Sequence, residues 1–183
     1  SHPDSERAQQ PTARLAMSSP SISLADTLPG GKALDDCLFV VDGWLGNARY
    51  MDKCSREVWG YGYNDDGTLT SDGYRYASTT VTLRNLEDTA VPVWTPVLYD
   101  FALRNDDGTL DMVRTGYDLD FEATGDTVPS DDPQHVVIAP GGTVQLTVVR
   151  VLPTYVLESG NLVLVPTDDG SPFSQAFSLG GQI

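Results

Sequence analysis

Two segments of this 183-residue chain alternate apolar and polar side chains, and this pattern constrains the fold more than any other feature. In the first segment, residues 75–83 (RYASTTVTL), one side of an extended chain carries Ala77, Thr79, Val81 and Leu83. In the second, residues 139–151 (APGGTVQLTVVRV), a Pro-Gly-Gly turn precedes Val144, Leu146 and Val148, which alternate with polar residues. Successive side chains of a strand point to opposite faces, so a period of two predicts a half-buried strand. Such strands are typical of antiparallel sheets with one solvated face.

Further segments of similar character predict about eight or nine strands in total. Besides residues 74–85 and 143–151, they are residues 38–41, 57–63, 97–103, 110–116, 135–138, 161–165 and 172–177. Turn sequences containing Asp-Gly or Pro-Gly separate several of these segments, and helical periodicity is almost absent. Short strands at regular spacing are typical of sandwiches. We therefore predict an all-β fold, an antiparallel β-sandwich.

Residues 1–30 differ in composition from the rest of the chain. They are rich in Ser, Pro, Gln, Ala and Thr and show no sustained periodicity, as is typical of a linker. A short apolar patch at residues 14–17 could dock onto the folded part, but we expect a disordered leader. We predict a flexible tether over residues 1–30 and one sandwich domain over residues 31–183. The start at Ser1, without a signal-peptide pattern, favours a mature or trimmed chain over a cytosolic one.

The charge of the chain excludes one class of partner. It carries 26 Asp and Glu against 11 Lys and Arg, for a formal net charge of −15. Binding to phosphate backbones needs clustered Lys and Arg, so we predict no nucleic-acid partner. Anionic membrane surfaces are disfavoured for the same reason. A transmembrane helix would need about eighteen or more consecutive apolar residues, and the sequence has no such run.

The two cysteines, Cys37 and Cys54, are separated by sixteen residues. This spacing matches neither a CxxC redox motif nor a zinc site. A bridge between them would stabilise the fold by about 3 kcal/mol in the chain-entropy model. An extracytoplasmic chain would oxidise the pair, and a cytosolic chain would keep both thiols reduced. We favour a structural disulfide over two unpaired thiols.

The order of several short motifs resembles a known kind of domain. A strand ending in TLRN (residues 82–85) precedes a strand ending at Asp107-Gly108, and a polar stretch then leads to PGGT (residues 140–143) and a long strand. This order resembles the immunoglobulin-like domains of unknown function in secreted, often lipid-anchored, proteins of Gram-positive bacteria, over roughly residues 34–179. The resemblance implies an immunoglobulin-like sandwich at an extracytoplasmic location, with a lipid anchor on a segment upstream of this chain. It supplies no catalytic residues.

The hexapeptide NDDGTL occurs twice, at residues 64–69 and 105–110. Its carboxylates and carbonyls are the oxygen ligands that calcium prefers. A candidate ligand set in the second copy is Asn105, Asp107, Thr109 and Asp111. Neither copy has the glycine and the acidic twelfth residue of an EF-hand loop. Because Asp-Gly readily supplies positive φ angles, we interpret both copies as hairpin turns and predict no metal site.

The sequence contains few residues that could support catalysis. Only His2 and His135 are present, and no G-x-S-x-G motif accompanies them. His135 stands at the entry of a predicted strand, where a surface histidine is common. Adjacent carboxylates are frequent, but they stand in turn sequences and not across an aromatic cleft. We therefore predict no catalytic residues, no enzyme activity and no cofactor.

Aromatic residues give the remaining indication of function. Trp44, Trp59 and Tyr61 belong to a group of aromatics concentrated in one third of the chain. Exposed aromatics bind sugars and proteins, whereas buried ones fill a core, and we favour packing in the core. We predict a non-catalytic extracytoplasmic domain that binds or scaffolds a protein or a cell-envelope component. The alternative is a carbohydrate-binding module that uses Trp44, Trp59 and Tyr61, and an unrecognised hydrolase comes third.

Overall fold

The protein was analysed as a computed structural model, which describes residues 14–28, 57–58, 61–62, 64, 66–95, 98–113, 119–132, 135–166 and 177–178. Most of these residues lie in strands, and every strand pair among them is antiparallel. The predicted all-β class is therefore confirmed. None of the helices in these ranges is long and apolar enough to cross a membrane.

Within the described ranges, the strands form three larger sheets and one short hairpin. In chain order they are β1 (Leu15–Ala25), β2 (Glu57–Val58), β3 (Tyr61–Gly62), β4 (Tyr74–Asn85), β5 (Val91–Trp94), β6 (Tyr99–Arg104), β7 (Leu110–Met112), β8 (Asp120–Gly125), β9 (Thr127–Val128), β10 (His135–Ile138), β11 (Thr143–Pro153), β12 (Leu162–Pro166) and β13 (Phe177–Ser178). A single-turn helix, α1 (Thr154–Glu158), follows β11. The sheet orders are β1-β4-β11-β8, β5-β10-β9, β13-β12-β6-β7 and β2-β3.

Strands β4 and β11 are the centre of the first sheet, and their alternation is the one that the sequence predicts. Ala77, Val81 and Leu83 are fully buried on one face of β4. On the opposite face, the hydroxyls of Thr80 and Thr147 are 2.8 Å apart across the β4–β11 pair. Burial on one face and polar pairs on the other fix the register of these strands.

The main apolar core lies between the first sheet and strands of the other two larger sheets. It joins side chains of β1, β4 and β11 to those of β5, β6, β10, β12 and α1. Arg150 of β11 is also buried there, with 5% of its surface exposed. Its guanidinium lies 4.9 Å from the ring centroid of Tyr99 and donates a hydrogen bond of 3.2 Å to the Thr95 carbonyl. This cation–π contact links the first sheet to β6 across the sandwich-like core.

Strand β1 corrects the prediction of a flexible tether over residues 1–30. It pairs with β4 along its length, and Leu15, Met17 and Ile22 are buried in the main core. The tether prediction is therefore wrong for residues 14–28, and the other residues of that segment lie outside the described ranges. A β-bulge between Ser18 and Ser21 explains the error. It moves the buried positions from odd to even numbers, so the sequence shows no sustained period of two.

A second, smaller core corrects the expectation that β4 has one solvated face. It consists of Leu28, Tyr76, Leu119, Val149 and Val151, with Ala25, Leu69 and Tyr74 packed against it. The alternation pattern assigns Tyr76 to the solvated side, yet none of its surface is exposed. Residues near Leu28, Leu69 and Leu119 come together over this end of the sheet. The residues that cover this face are distant in sequence, so the alternation of side chains within β4 does not indicate them.

The remaining predicted strands are found in part. Strands β10 and β12 match their predicted segments closely, and the hairpin of β6 and β7 forms around residues 105–108. Strands β8 and β9 and helix α1 were not predicted, because their residues are mostly polar or lack a clear period. Residues 38–41 and 172–176 lie outside the described ranges.

Candidate functional site

The two NDDGTL copies fold into the same tight turn, as predicted. In the first copy the Asn64 N–H donates to the Thr68 carbonyl at 2.8 Å, and Gly67 has a φ of 85°. In the second copy the Asn105 N–H donates to the Thr109 carbonyl at 2.8 Å, and Gly108 also has a φ of 85°. A φ in this range is readily available only to glycine, which explains the Asp-Gly pair in each turn.

In each turn, one Asp carboxylate accepts hydrogen bonds from a residue of the same turn. Oδ1 of Asp66 accepts hydrogen bonds from the Thr68 hydroxyl at 2.6 Å and from the Thr68 N–H at 3.0 Å. Oδ1 of Asp107 accepts the same two bonds from Thr109, at 2.6 and 3.0 Å. The hydroxyl bond, and then the backbone bond, lower the pKa of each Asp below its usual value of 3.8.

The residues considered as calcium ligands in the second copy form hydrogen bonds mainly with one another. Asn105 Nδ2 donates to the Thr109 hydroxyl oxygen at 3.0 Å, and that hydroxyl donates to Asp107. Asp111 lies on β7, which pairs with β6. Among the residues described in the structure, no group of three or more His, Cys, Asp or Glu side chains is arranged to hold a metal ion.

The first turn differs from the second because it is attached to the sheet. The hydroxyl of the buried Tyr76 donates a hydrogen bond of 2.5 Å to the carbonyl of Gly67. Gly67 is itself buried, whereas Gly108 is exposed. The Tyr76 hydroxyl therefore holds the residues that follow Gly67 in a fixed position above β4.

A pocket of about 250 Å³ opens beside this attached turn. Its lining residues come from the end of β1, the turn and the start of β4: Asp26, Thr68, Leu69, Ser71, Asp72, Tyr74 and Arg75. Polar and charged residues thus line the pocket together with Leu69 and Tyr74. The pocket is the strongest candidate for a functional site among the described residues.

Arg75 is the one basic residue among those that line the pocket. One of its Nη atoms lies 3.0 Å from Oδ1 of Asp26, in an ion pair whose Asp side chain is 85% exposed. The Arg75 side chain is 35% exposed, yet its Nε atom is buried and has no hydrogen-bond partner among the described residues. Exposed ion pairs contribute little to stability, so this guanidinium is not committed to a structural role by its pairing.

Hydrogen bonds hold the loop residues that line the pocket before β4. Ser71 Oγ accepts a hydrogen bond from the Gly73 N–H at 3.1 Å. The Thr154 hydroxyl donates to the Asp72 carbonyl at 2.9 Å, and the Thr154 N–H donates to the Gly73 carbonyl at 2.8 Å. The loop before β4 is therefore tied to the start of α1. The next residue of α1, Tyr155, has 68% of its surface exposed.

The site residues predicted from sequence are mostly not tested. Cys37, Cys54, Trp44 and Trp59 lie outside the described residues. The backbone of Tyr61 lies in β3, opposite Val58 of β2. The disulfide and the aromatic platform therefore stay predictions. The sequence did not indicate the pocket, because Asp26 stood in a segment predicted to be a tether.

His135 begins β10, the middle strand of its sheet, and lies beside an aromatic ring. It faces Trp94 across the β5–β10 pair, and the two rings stack with centroids 6.4 Å apart. Its Nδ1 atom lies 2.8 Å from Oδ2 of Asp132. Strand β5 pairs only with β10 among the described strands, so Trp94 lies on an edge strand.

Comparison with known proteins found no match to the chain among family models, curated proteins or solved structures.

Proposed function

We propose that the chain is an immunoglobulin-like β-sandwich that binds or scaffolds a protein or cell-envelope component and has no catalytic activity. The observation that carries this proposal is the pocket beside Arg75. It offers hydrogen-bond donors and acceptors on preorganised loops at one end of a packed sheet. Its only Ser side chain, Ser71, already accepts a hydrogen bond from Gly73, and no His lines the pocket. The described lining therefore contains no Ser–His form of an activated nucleophile, which supports binding over that kind of catalysis.

The proposal includes an extracytoplasmic location, secreted or anchored at the cell surface. Its support is the resemblance of the TLRN, Asp-Gly and PGGT motif order to domains of secreted Gram-positive proteins. A disulfide between Cys37 and Cys54 and a lipid anchor upstream of the chain belong to the same proposal. Mass spectrometry of the unreduced secreted protein tests the disulfide directly, since forming the S–S bond from two thiols removes two hydrogen atoms from the intact mass.

The alternative function is carbohydrate binding. What supports keeping it is that polar residues able to hydrogen-bond hydroxyl groups line the pocket together with Tyr74. Trp44, Trp59 and Tyr61 remain the residues predicted for an aromatic sugar platform. Both functions are binding functions of the same fold, and they differ only in the chemical class of the ligand.

Cosedimentation with isolated cell envelopes tests the proposed function. We expect the full chain to pellet with envelopes of a Gram-positive bacterium and to remain in solution without them. Protease treatment of the envelopes would abolish binding to a protein component, whereas periodate oxidation would abolish binding to a glycan. A chain that stays in the supernatant with every envelope preparation would contradict the proposal, and release of soluble envelope fragments would favour the hydrolase instead.

A further inference from the structure

We infer that the open edge of strand β8 (Asp120–Gly125) binds an extended basic segment of a protein partner, which is added as a further antiparallel strand of the first sheet. Strand addition at a sheet edge is a common mode of peptide recognition. The inference names a second binding surface and does not depend on the pocket beside Arg75. In the sheet order β1-β4-β11-β8, strand β8 lies at the opposite edge from β1, which precedes the pocket residue Asp26.

Strand β8 differs from the other described edge strands because neither proline, nor a bulge, nor short length protects it from pairing. Natural edge strands usually have one of these features or are protected by charge. Strand β1 has a bulge after Ser18, with Ser19 at a φ of 52° and Pro20 beside it, and β5 contains Pro92. Strands β2, β3, β7, β9 and β13 have three residues or fewer. The six residues of β8 pair with β11 in a continuous register.

The register of β8 leaves backbone hydrogen-bonding groups at its open edge. The Asp126 N–H donates to the Thr143 carbonyl at 3.0 Å, in the register of the β8–β11 pair. Every second residue of an antiparallel strand bonds to the same neighbour. The backbone of Glu122 therefore bonds to β11, whereas the N–H and C=O groups of Phe121 and Ala123 point away from it. Among the described strands β8 pairs only with β11, so these groups face the side where a strand can be added.

The side chains of β8 specify the alternation of the added strand. Phe121 and Ala123 pack against the main core but are only partly buried, and Glu122 is exposed on the opposite face. Apolar side chains beside Phe121 and Ala123 would remove their remaining apolar surface from water. A basic side chain beside Glu122 would form a cross-strand ion pair. We therefore expect a segment in which Lys or Arg alternates with apolar residues such as Val.

The charge around β8 selects a basic partner over a second copy of the chain. Residues 119–132 contain no Lys or Arg and five acidic residues, which are Asp120, Glu122, Asp126, Asp131 and Asp132. Two β8 edges would bring these carboxylates together in chains that each have a net charge of −15. Like charges placed opposite each other in a sheet are destabilising. The same carboxylates attract a basic segment and favour its association.

The test is a titration of the isotope-labelled full chain with a synthetic octapeptide of alternating Lys and Val with blocked ends. Amide chemical shifts report binding, and we expect saturable changes at residues 119–126. The first control peptide has Glu in place of every Lys and should not bind.

Two N-methylated forms of the Lys–Val peptide test the backbone pairing. In the proposed antiparallel register, the Val nitrogens face β8 and the Lys nitrogens point away from it. Methylation of the Val nitrogens should therefore weaken binding about ten-fold or more, because it removes the donors of the new ladder. Methylation of the Lys nitrogens keeps those donors and the charge, and should leave the affinity within about two-fold.

Variants of the chain test the same edge. Ala123→Pro removes an outward N–H and no bond to β11, and proline is tolerated at such edge positions. It should weaken binding of the Lys–Val peptide about five-fold or more. Glu122→Lys replaces the expected ion pair by a like-charge pair and should have an effect of similar size. Its matched control is Glu158→Lys, which reverses an exposed charge on α1 and should change the affinity by no more than about two-fold.

Circular dichroism of each variant shows whether the sheets are intact. If Ala123→Pro does not fold, Glu122→Lys still tests the edge, because the Glu122 side chain is exposed.

Five outcomes would overturn the inference. They are the absence of saturable shifts at residues 119–126, equal binding of the Glu–Val peptide, parent-like binding of the Val-methylated peptide, equal weakening by Glu122→Lys and Glu158→Lys, and concentration-dependent shifts at β8 without peptide, which would assign the edge to a second copy. Failure of the inference is distinguishable from failure of the proposed function. A chain that pellets with envelopes but does not bind the Lys–Val peptide keeps the proposed function and contradicts only the strand addition.

Discussion

Replacing Tyr76 by Phe tests how the pocket is held in place. The substitution keeps the buried ring and removes only the hydroxyl that donates to the Gly67 carbonyl at 2.5 Å. None of the Tyr76 surface is exposed, and Gly67 is buried as well. The carbonyl is thus left without this donor in a place with little access to water. We expect a loss of about 1–3 kcal/mol in the free energy of unfolding.

The expected loss can be measured in two ways. At about 2–4 °C per kcal/mol for a chain of this size, the melting temperature should fall by roughly 2–12 °C. Because the turn is attached to the sheet through this bond, the amides of Gly67 and Thr68 should also exchange hydrogen faster with solvent.

The control for Tyr76→Phe is Tyr155→Phe, which removes a hydroxyl from a ring that is 68% exposed. We expect it to change stability by no more than about 0.5 kcal/mol. Equal stability of Tyr76→Phe and the wild type would refute the reasoning. Unchanged exchange at Gly67 and Thr68 would refute the attachment of the turn, even if the melting temperature fell.

Three further predictions concern the turns, the sheet and the N-terminal strand. Thr109→Val should raise the pKa of Asp107 towards 3.8, as followed by carboxyl shifts in an NMR titration, because it removes the hydroxyl bond that lowers this pKa most. In the wild type, the lowered folded-state pKa contributes stability that is fully present at pH values above the unfolded-state pKa. This stability is lost as the pH falls through the folded-state pKa, so the variant should lose less stability on acidification. Gly125→Ala should destabilise the fold by more than about 1 kcal/mol in denaturant titration, because φ is 124° and the added Cβ would lie 2.5 Å from the Thr143 carbonyl oxygen. Ile22→Ala should lower the free energy of unfolding by about 2–5 kcal/mol in the same assay, because β1 belongs to the core. A change below about 0.5 kcal/mol would support a tether instead.

The sequence predicts those strands best whose burial depends on a simple alternation. For β4 it predicts both bounds and the buried face, because Ala77, Val81 and Leu83 keep a period of two without interruption. For β1 it fails, because the bulge between Ser18 and Ser21 reverses which positions are buried. A bulge is a property of a strand pair, and a single strand sequence contains no direct sign of it.

The candidate site could not be predicted for a related reason. Its walls combine Asp26 after β1, Thr68 in a turn and Arg75 in β4. These residues meet only because β1 pairs with β4 and the Tyr76 hydroxyl holds the turn. The turn chemistry itself was readable, since the NDDGTL repeat predicts positive φ at its glycines. What the repeat does not show is that one copy is attached to the sheet and the other is exposed.

The central claim is that the chain binds an envelope component through the pocket beside Arg75. The most direct measurement is a map of amide shift changes in the labelled chain when envelope fragments from the cosedimentation assay are added. We predict that the changes concentrate at Asp26 and residues 66–75 and disappear in Arg75→Met. Changes confined to other surfaces, such as the edge around Trp94 and His135, would contradict the claim.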